Sequence, residues 1–231
     1  TVAISSDGQY IVSGFSYVVD SEYHSKTYLF HKDNSTPLWN FSKIGYVYSV
    51  SISADGEYIA VGRGSGSWFQ SSNSVYLFDK DSNTPLWNFT GAGNHVREVS
   101  ISEDGDYITA YSTDEKVYFF NKTNSTPLLI YETGAVGSVA ISAYGKYTVA
   151  GSEDSSVYVF KNSLVSDLKL KAYAPHNGDN TVTNPMLGWF ANSDDRDNLT
   201  FDVYLSTSSN PTTKVADDIT TLYYNPYCLS L

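Results

Sequence analysis

Asparagine is the residue whose spacing suggests the clearest chemistry in this chain. Six asparagines begin an Asn-x-Ser/Thr triplet without proline at the middle position: Asn34, Asn40, Asn88, Asn121, Asn124 and Asn198. In an exported protein such triplets accept N-linked glycans. The same letters also suit turns, because asparagine and serine side chains bond to nearby backbone groups. We therefore predict glycosylation at some of these sites, provided that the protein is exported, with plain turn structure as the alternative.

Two acidic clusters could hold hard cations. Asp194, Asp195 and Asp197 concentrate carboxylate oxygens, which calcium prefers, although Arg196 among them opposes a cation. Residues 79–83 begin like a calcium loop but lack its glycine and its terminal glutamate. We predict a turn at 79–83. The cluster at 194–197 is a calcium candidate with a solvated turn as its alternative, and no other cofactor is expected.

The sequence gives no catalytic constellation. It contains no G-x-S-x-G, no H-E-x-x-H and no phosphate-binding loop. Cys228 is the single cysteine, so neither an internal disulfide nor a cysteine-based metal site can form within the chain. We predict a protein that is not an enzyme, although loops on a permissive scaffold can hold activity that no motif reveals.

Large aromatic side chains occur where the sequence predicts loops. Segments 15–26 and 63–73 look like insertions between strands, and the connections between repeated units contain further aromatic residues. Exposed aromatic residues of this size usually mark a contact surface. The predicted binding face comprises Phe15, Tyr17, Tyr23, Tyr46, Tyr48, Trp68, Phe69 and His95. The alternative is that the insertions fold over each other as a small separate cluster.

These residues are positioned by a unit that the chain repeats, starting near Val2, Val50, Val99 and Val139. Each copy has an alternating strand, an Asp-Gly type turn, a second strand and then a Val-Tyr-x-Phe type strand. The tyrosines of that last strand recur every 40 to 48 residues. A period of this length built from short β segments predicts propeller blades. Residues Val75–Phe78 are apolar throughout, which predicts a strand buried on both faces.

The turn Ser53–Tyr58 and the strand Val75–Phe78 resemble those of WD40-like and quinoprotein-like propellers, most closely those of archaeal surface-layer proteins. The Trp-Asp ending of a true WD40 repeat is absent; Phe78-Asp79 occupies its place in the second copy. The resemblance implies an all-β fold over residues 1–163, with four blades as part of a larger ring. A closed ring of four blades is the alternative.

Residues 164–231 differ in composition from the repeats. Asn184–Trp189, Asp194–Leu205 and Tyr223–Pro226 resemble segments of fibronectin type III-like surface modules. The resemblance implies a partial β-sandwich over 164–231, apparently truncated because the later strands of such a module are absent.

Composition narrows the partners. The formal net charge of −11 repels phosphate and the sequence has no basic stripe, so we expect no nucleic-acid binding. The sequence has no run of eighteen apolar residues, so we predict no membrane span within this chain. With the resemblance, we expect an extracellular or cell-surface glycoprotein of structural or adhesive role. It would bind a protein neighbour or a polysaccharide through the propeller face, and self-assembly is a further option. The alternatives are a quinoprotein-like or hydrolytic propeller enzyme and an intracellular WD40-type scaffold.

Overall fold

The computed structural model describes residues 1–65, 73–153 and 155–165, and the backbone of five short strands after residue 165. The chain divides into two compact units, Thr1–Val165 and Ser166–Leu231. Every regular element in the described residues is a β-strand, which confirms the predicted all-β class. Within the same residues, no helix is long and apolar enough to cross a membrane.

The first unit consists of antiparallel sheets whose strands pair in chain order; we call them blades 1 to 4. The strands of blade 1 are β1 (Val2–Ile4), β2 (Tyr10–Val19), β3 (Glu22–His31) and β4 (Trp39–Ile44). Those of blade 2 are β5 (Tyr46–Ile52), β6 (Tyr58–Gly64), β7 (Ser74–Asp79) and β8 (Trp87–Phe89). Those of blade 3 are β9 (Val96–Ile101), β10 (Tyr107–Ser112), β11 (Lys116–Asn121) and β12 (Leu129–Glu132). Those of blade 4 are β13 (Val136–Ile141), β14 (Tyr147–Ser152) and β15 (Val157–Lys161).

The turn between the first two strands of a blade is fixed by its own side chains. In blade 2, Ser53 Oγ donates to Asp55 Oδ1 at 2.6 Å and accepts from the backbone N–H of Tyr58 at 3.0 Å. Gly56 adopts a φ of 74°, which only glycine reaches without strain. The same serine–aspartate bond recurs in blades 1 and 3. The repeated turn motif therefore has a local structural cause.

The apolar cores lie between the blades. The strand Val75–Phe78 is buried along its whole length, as predicted. Val75 and Leu77 pack in a cluster with residues of blade 3, whereas Tyr76 and Phe78 pack in a cluster with residues of blade 1. Because successive side chains of a strand point to opposite faces, one strand contributes to both cores.

Hydrogen bonds join consecutive blades at both ends of each sheet. Where the first strands adjoin, Ser49 Oγ accepts from the N–H of Val99 in the next blade at 3.2 Å. At the outer edge, Trp39 Nε1 and Trp87 Nε1 each donate to the carbonyl oxygen of a lysine, Lys80 or Lys122, in the next blade at 2.8 Å. The blades therefore lie side by side in chain order.

The loop predicted for residues 15–26 is wrong. Phe15 and Tyr17 lie in β2, and Tyr23 lies in β3, so the insertion lengthens a hairpin. Asp20 and Ser21 form its turn, both with positive φ, a combination that matches the right-handed twist of paired strands. Trp68 and Phe69 of the second insertion lie outside the described residues.

The second unit contains two small antiparallel sheets, one with strand order β16-β17-β20 and one of β18 and β19. Its strands are β16 (Lys169–Ala174), β17 (Leu187–Asn192), β18 (Phe201–Tyr204), β19 (Lys214–Ile219) and β20 (Tyr223–Tyr224). The partial fibronectin type III-like sandwich stays a prediction. Asp194, Asp195, Asp197 and Asn198 lie outside the described residues.

Candidate binding face

The first strands of blades 2, 3 and 4 are irregular at equivalent positions. Pairing of β5 with β6 shifts between Val47 and Ser49, and pairing of β13 with β14 shifts between Val136 and Ser138. In β9 the partners skip from Glu98 to Val96. The skipped residues are Tyr48, Arg97 and Gly137. Bulges of this kind redirect side chains and are frequent next to functional sites.

The three bulges line one cavity of about 540 Å³. Its wall contains two aromatic rings, one cation and two carboxylates, provided by Tyr48, Tyr111, Arg97, Glu115 and Glu153. The guanidinium carbon of Arg97 lies 4.3 Å from the centroid of the Tyr48 ring, a cation–π contact that holds the arginine over the ring. The cavity therefore presents groups of both charges next to an aromatic surface.

An aromatic row leads across the blades to this cavity. It consists of Tyr23, Tyr46, Tyr48 and His95, with ring centroids 4.4, 5.5 and 5.6 Å apart in that order. Tyr23 is exposed, and the other three rings are half-buried. Burial, together with the neighbouring Tyr23 phenol, raises the pKa of Tyr46 to about 12. The row offers aromatic rings together with phenol hydroxyl groups.

His95 ends the row and is held by Asn73. Its Nδ1 lies 3.2 Å from Asn73 Oδ1, which fits a tautomer that carries the proton on Nδ1. Burial lowers the pKa of His95, and the positive charge of Arg97 acts in the same direction. Among the residues that the structure describes, no three histidine, cysteine or acidic side chains are grouped as a metal site would require.

Phe15 and Tyr17 do not join the aromatic row. Phe15 stacks on Tyr28 at 5.7 Å, and Tyr17 stacks on His24 at 5.8 Å. Tyr23 is adjacent to His24 in β3, so its side chain points to the opposite face of the hairpin. The structure thus brings four of the predicted face residues together and separates these two from them.

The predicted glycosylation sites in the first unit lie on the surface. Asn34, Asn40, Asn88 and Asn124 are exposed, and Asn121 at the end of β11 is half-buried. Asn40 and Asn88 lie on outer strands, whereas Asn34 and Asn124 lie in turns before such strands. The side-chain oxygens of Asn34 and Asn124 each accept a backbone N–H two residues later at 2.9 Å. These bonds account for the turns without a glycan, and the exposed amides leave room for one.

Sequence reasoning missed the charged residues of the cavity. Arg97, Glu115 and Glu153 have no repeated letter at their positions, and nothing in the linear pattern brings Glu115 next to Glu153. One sequence signal was present. In the second and third copies the residue two places before the Val-Ser-Ile segment, Tyr48 or Arg97, has a large side chain.

Comparison with known proteins gives one family match, which covers the last strand of blade 3 and the strands of blade 4. Residues 125–161 match the WD domain, G-beta repeat, and this range contains β12 to β15. No curated protein matches the chain. Repeats of this type build propellers that act as scaffolds for protein interaction. The matched segment and the antiparallel sheets of the first unit both fit WD40-like β-propeller repeats.

Proposed function

We propose that this protein is a non-catalytic, extracellular scaffold of structural or adhesive role that binds a protein neighbour through the aromatic row and the cavity beside it. The observation on which the proposal rests is the set of equivalent bulges at Tyr48, Arg97 and Gly137 around one cavity. In regular antiparallel pairing each of these residues would have a partner on the neighbouring strand. The bulges leave them unpaired in the sheet, and all three line the same cavity.

The composition of the face favours a protein as the ligand. Tyrosine and arginine are enriched among the residues that dominate binding energy at protein interfaces. Here they are combined with Glu115 and Glu153, so the cavity offers a cation and carboxylates to one partner. A polysaccharide is the second ligand class, because the exposed ring of Tyr23 and its neighbours can stack against sugars.

The enzyme alternatives find less support. A quinoprotein-like enzyme needs a tryptophan free to stack on its cofactor, but Trp39 and Trp87 lie on outer strands and donate to backbone oxygens of the next blade. Among the described residues that line the cavity, the two glutamates are accompanied by the hydroxyl groups of Thr113 and the tyrosines but by no histidine, serine or cysteine. A quinone absorption band in the purified protein would favour the enzyme and contradict the scaffold.

The cell-surface assignment depends on the glycosylation sites. Asn34, Asn40, Asn88 and Asn124 have exposed side chains that a glycan could occupy. Peptide mass spectrometry of the protein from its native cells tests the assignment. Hexose-sized mass increments on these peptides support export, whereas unmodified peptides at every site favour the intracellular scaffold.

The binding proposal is tested with variants of the face. Protein isolated from the native cell envelope and a panel of polysaccharides are immobilised, and the affinity of the chain is measured by biolayer interferometry. We expect Tyr48→Ala and Arg97→Ala each to weaken binding to envelope protein by about 10-fold or more, as central interface residues do. Phe15→Ala, on the other face of its hairpin, is the matched control. Equal affinity of all variants would contradict the proposal, and loss of polysaccharide binding alone would favour the second ligand class.

A further inference from the structure

Blades 2, 3 and 4 share one contact next to their bulges. In each blade, the second-strand residue opposite the position just before the bulge donates to a backbone carbonyl oxygen. That oxygen lies one or two residues before the bulged strand begins. In blades 3 and 4 the donor is a serine hydroxyl, in the pairs Ser112 with Asn94 at 2.9 Å and Ser152 with Ala135 at 2.8 Å. In blade 2 the equivalent donor is Arg63, whose Nη2 donates to the carbonyl oxygen of Ile44 at 2.6 Å. The connection that leads into each bulged strand is therefore held by the second strand of the same blade.

Arg63 differs from the two serines because its longer side chain also reaches blade 1. The same Nη2 atom donates to Ser25 Oγ at 3.0 Å. Ser25 lies in β3 and Ile44 ends β4, so one guanidinium nitrogen holds two neighbouring strands of blade 1. Ser25 Oγ in turn donates to the carbonyl oxygen of Lys43 in β4 at 3.2 Å. Arg63 therefore ties blade 2 to the edge of blade 1 at which the chain passes from one blade to the next.

Arg63 is buried without a carboxylate partner. Only 1% of its surface is exposed, and no acidic side chain among the described residues forms an ion pair with it. Its Nε is also buried, and it has no hydrogen-bond partner in the part of the chain that the structure describes. The guanidinium carbon lies 5.7 Å from the centroid of the Tyr76 ring, a cation–π contact that offsets part of the cost of burial. Burial of a cation in this way costs free energy that a serine at the same position would not cost. The bonds to two strands of blade 1 are what the arginine adds.

The backbone that Arg63 holds leads directly into the aromatic row. Gly45 follows Ile44 and adopts a φ of 106°, which glycine reaches without strain. The N–H of Gly45 donates to the carbonyl oxygen of Tyr23 at 2.7 Å, and Tyr46 is the next residue. The rings of Tyr23 and Tyr46, which belong to different blades, have their centroids 4.4 Å apart. The bond from Arg63 to Ile44 therefore fixes the backbone between these two rings.

We propose that Arg63 is the positioning residue of the aromatic row: it ties β3 and β4 of blade 1 to blade 2, so that Tyr23 and Tyr46 are in contact before a partner binds. Side chains that are already held in their bound arrangement lose less freedom on association, which raises affinity. Arg63 is buried, so it acts on a partner only through the row. Its positioning role stands on the hydrogen bonds, whereas its effect on affinity rests on the proposed function.

The first test needs no ligand. Nuclear Overhauser effects between selectively labelled rings of Tyr23 and Tyr46 report their contact in the chain alone. We expect cross-peaks in the wild type and their loss in Arg63→Met, whose unbranched side chain fills much of the same space but donates no hydrogen bond. Trp87→Phe removes one hydrogen bond at the junction of blades 2 and 3, so it is the matched control and should keep the cross-peaks. Cross-peaks that persist unchanged in Arg63→Met would overturn the proposal.

A measurement on the wild type keeps the proposal testable if Arg63→Met does not fold, since that variant leaves the carbonyl oxygen of Ile44 without this bond. Guanidinium protons that are buried and hydrogen-bonded exchange slowly with water, so they can be observed directly. We expect cross-peaks from the Arg63 guanidinium protons to the side-chain protons of Ser25 and to Hα of Gly45. Absence of both in the folded wild type would overturn the proposal without any variant.

Affinity for immobilised envelope protein, measured by biolayer interferometry, tests the effect on binding. We expect Arg63→Met to weaken binding by about 10-fold, comparable to loss of a residue of the row itself. Trp87→Phe should bind like the wild type, although it also loses a hydrogen bond between blades. An equal loss of affinity in both variants would indicate general destabilisation and overturn the positioning role. A wild type that binds no envelope protein would contradict the proposed function alone, and the contact of the Tyr23 and Tyr46 rings then decides the role of Arg63 by itself.

Discussion

The ring of Tyr58 in blade 2 covers Gly105 in blade 3 so closely that a Cβ atom at residue 105 would lie 2.5 Å from Tyr58 Cδ2. Gly105 also adopts a φ of 72° in its turn. Glycine is thus required here both by the backbone and by the ring of the preceding blade. Gly8 adopts a similar φ of 68°, but it has no such neighbour.

This difference predicts unequal costs for the same substitution. Gly8→Ala should lower the free energy of unfolding by about 1–2 kcal/mol, the cost of a left-handed conformation for a residue with a Cβ. Gly105→Ala should cost about 1–3 kcal/mol more, because the ring must also move. Urea unfolding measures both. Equal losses would show that the contact of Tyr58 with Gly105 does not exist in solution.

The tryptophan of the outer strand should stabilise the junction through its indole nitrogen. Trp87→Phe removes the donor to the carbonyl oxygen of Lys122 and leaves that oxygen without this bond. We expect a loss of about 1–3 kcal/mol in the free energy of unfolding. Trp39→Phe should behave alike, because Trp39 donates in the same way to Lys80. The exposed Leu86→Ala is the control, and a Trp87→Phe protein as stable as this control would contradict the assignment.

His95 predicts a pH dependence of stability. Burial lowers its pKa in the folded chain, with Arg97 acting in the same direction, below the ordinary value of 6.5. The unfolded chain then binds the proton more readily, so this contribution to stability is complete above that value and declines as the pH falls through it. Thermal melting from about pH 8 to pH 5 should show a smaller decrease for His95→Gln than for the wild type. Arg97→Gln should also reduce the decrease, and unchanged slopes in both variants would be inconsistent with this origin.

The hairpin turn of blade 1 can be improved. Asp20 and Ser21 both have positive φ, at 49° and 67°, although neither is glycine. Replacing them by Asn-Gly, the pair favoured in this type of turn, should raise the free energy of unfolding by about 1 kcal/mol. Ser35→Gly, at a surface turn residue, is the control and should bring no gain. A lower melting temperature in the Asn-Gly variant would argue against the lengthened hairpin.

The sequence was sufficient to predict the strands that repeat. The unbroken apolar letters of Val75–Phe78 require burial on both faces, and the structure places β7 between two cores. The Ser-x-Asp-Gly turn was also predictable, because its bonds are made within six residues.

The binding face was only partly predictable. An insertion of a given length can form a loop or a longer hairpin, and Asp20-Ser21 is a weak turn signal, so the sequence alone predicts a loop at Tyr23, whereas the structure places it in β3. The bulges at Tyr48 and Arg97 depend on how a strand fits its partner, and no residue type marks them. The cavity therefore required the three-dimensional arrangement of the blades.

The central claim is that the repeats are blades packed side by side in chain order, and nuclear Overhauser effects between selectively labelled tyrosine rings and glycine Hα protons test it most directly. The structure predicts cross-peaks from Tyr10 to Gly56, from Tyr58 to Gly105 and from Tyr107 to Gly145. Ring currents should also shift the Hα resonances of these three glycines. Absence of all three cross-peaks in the folded protein would contradict the packing of the blades and, with it, the binding face.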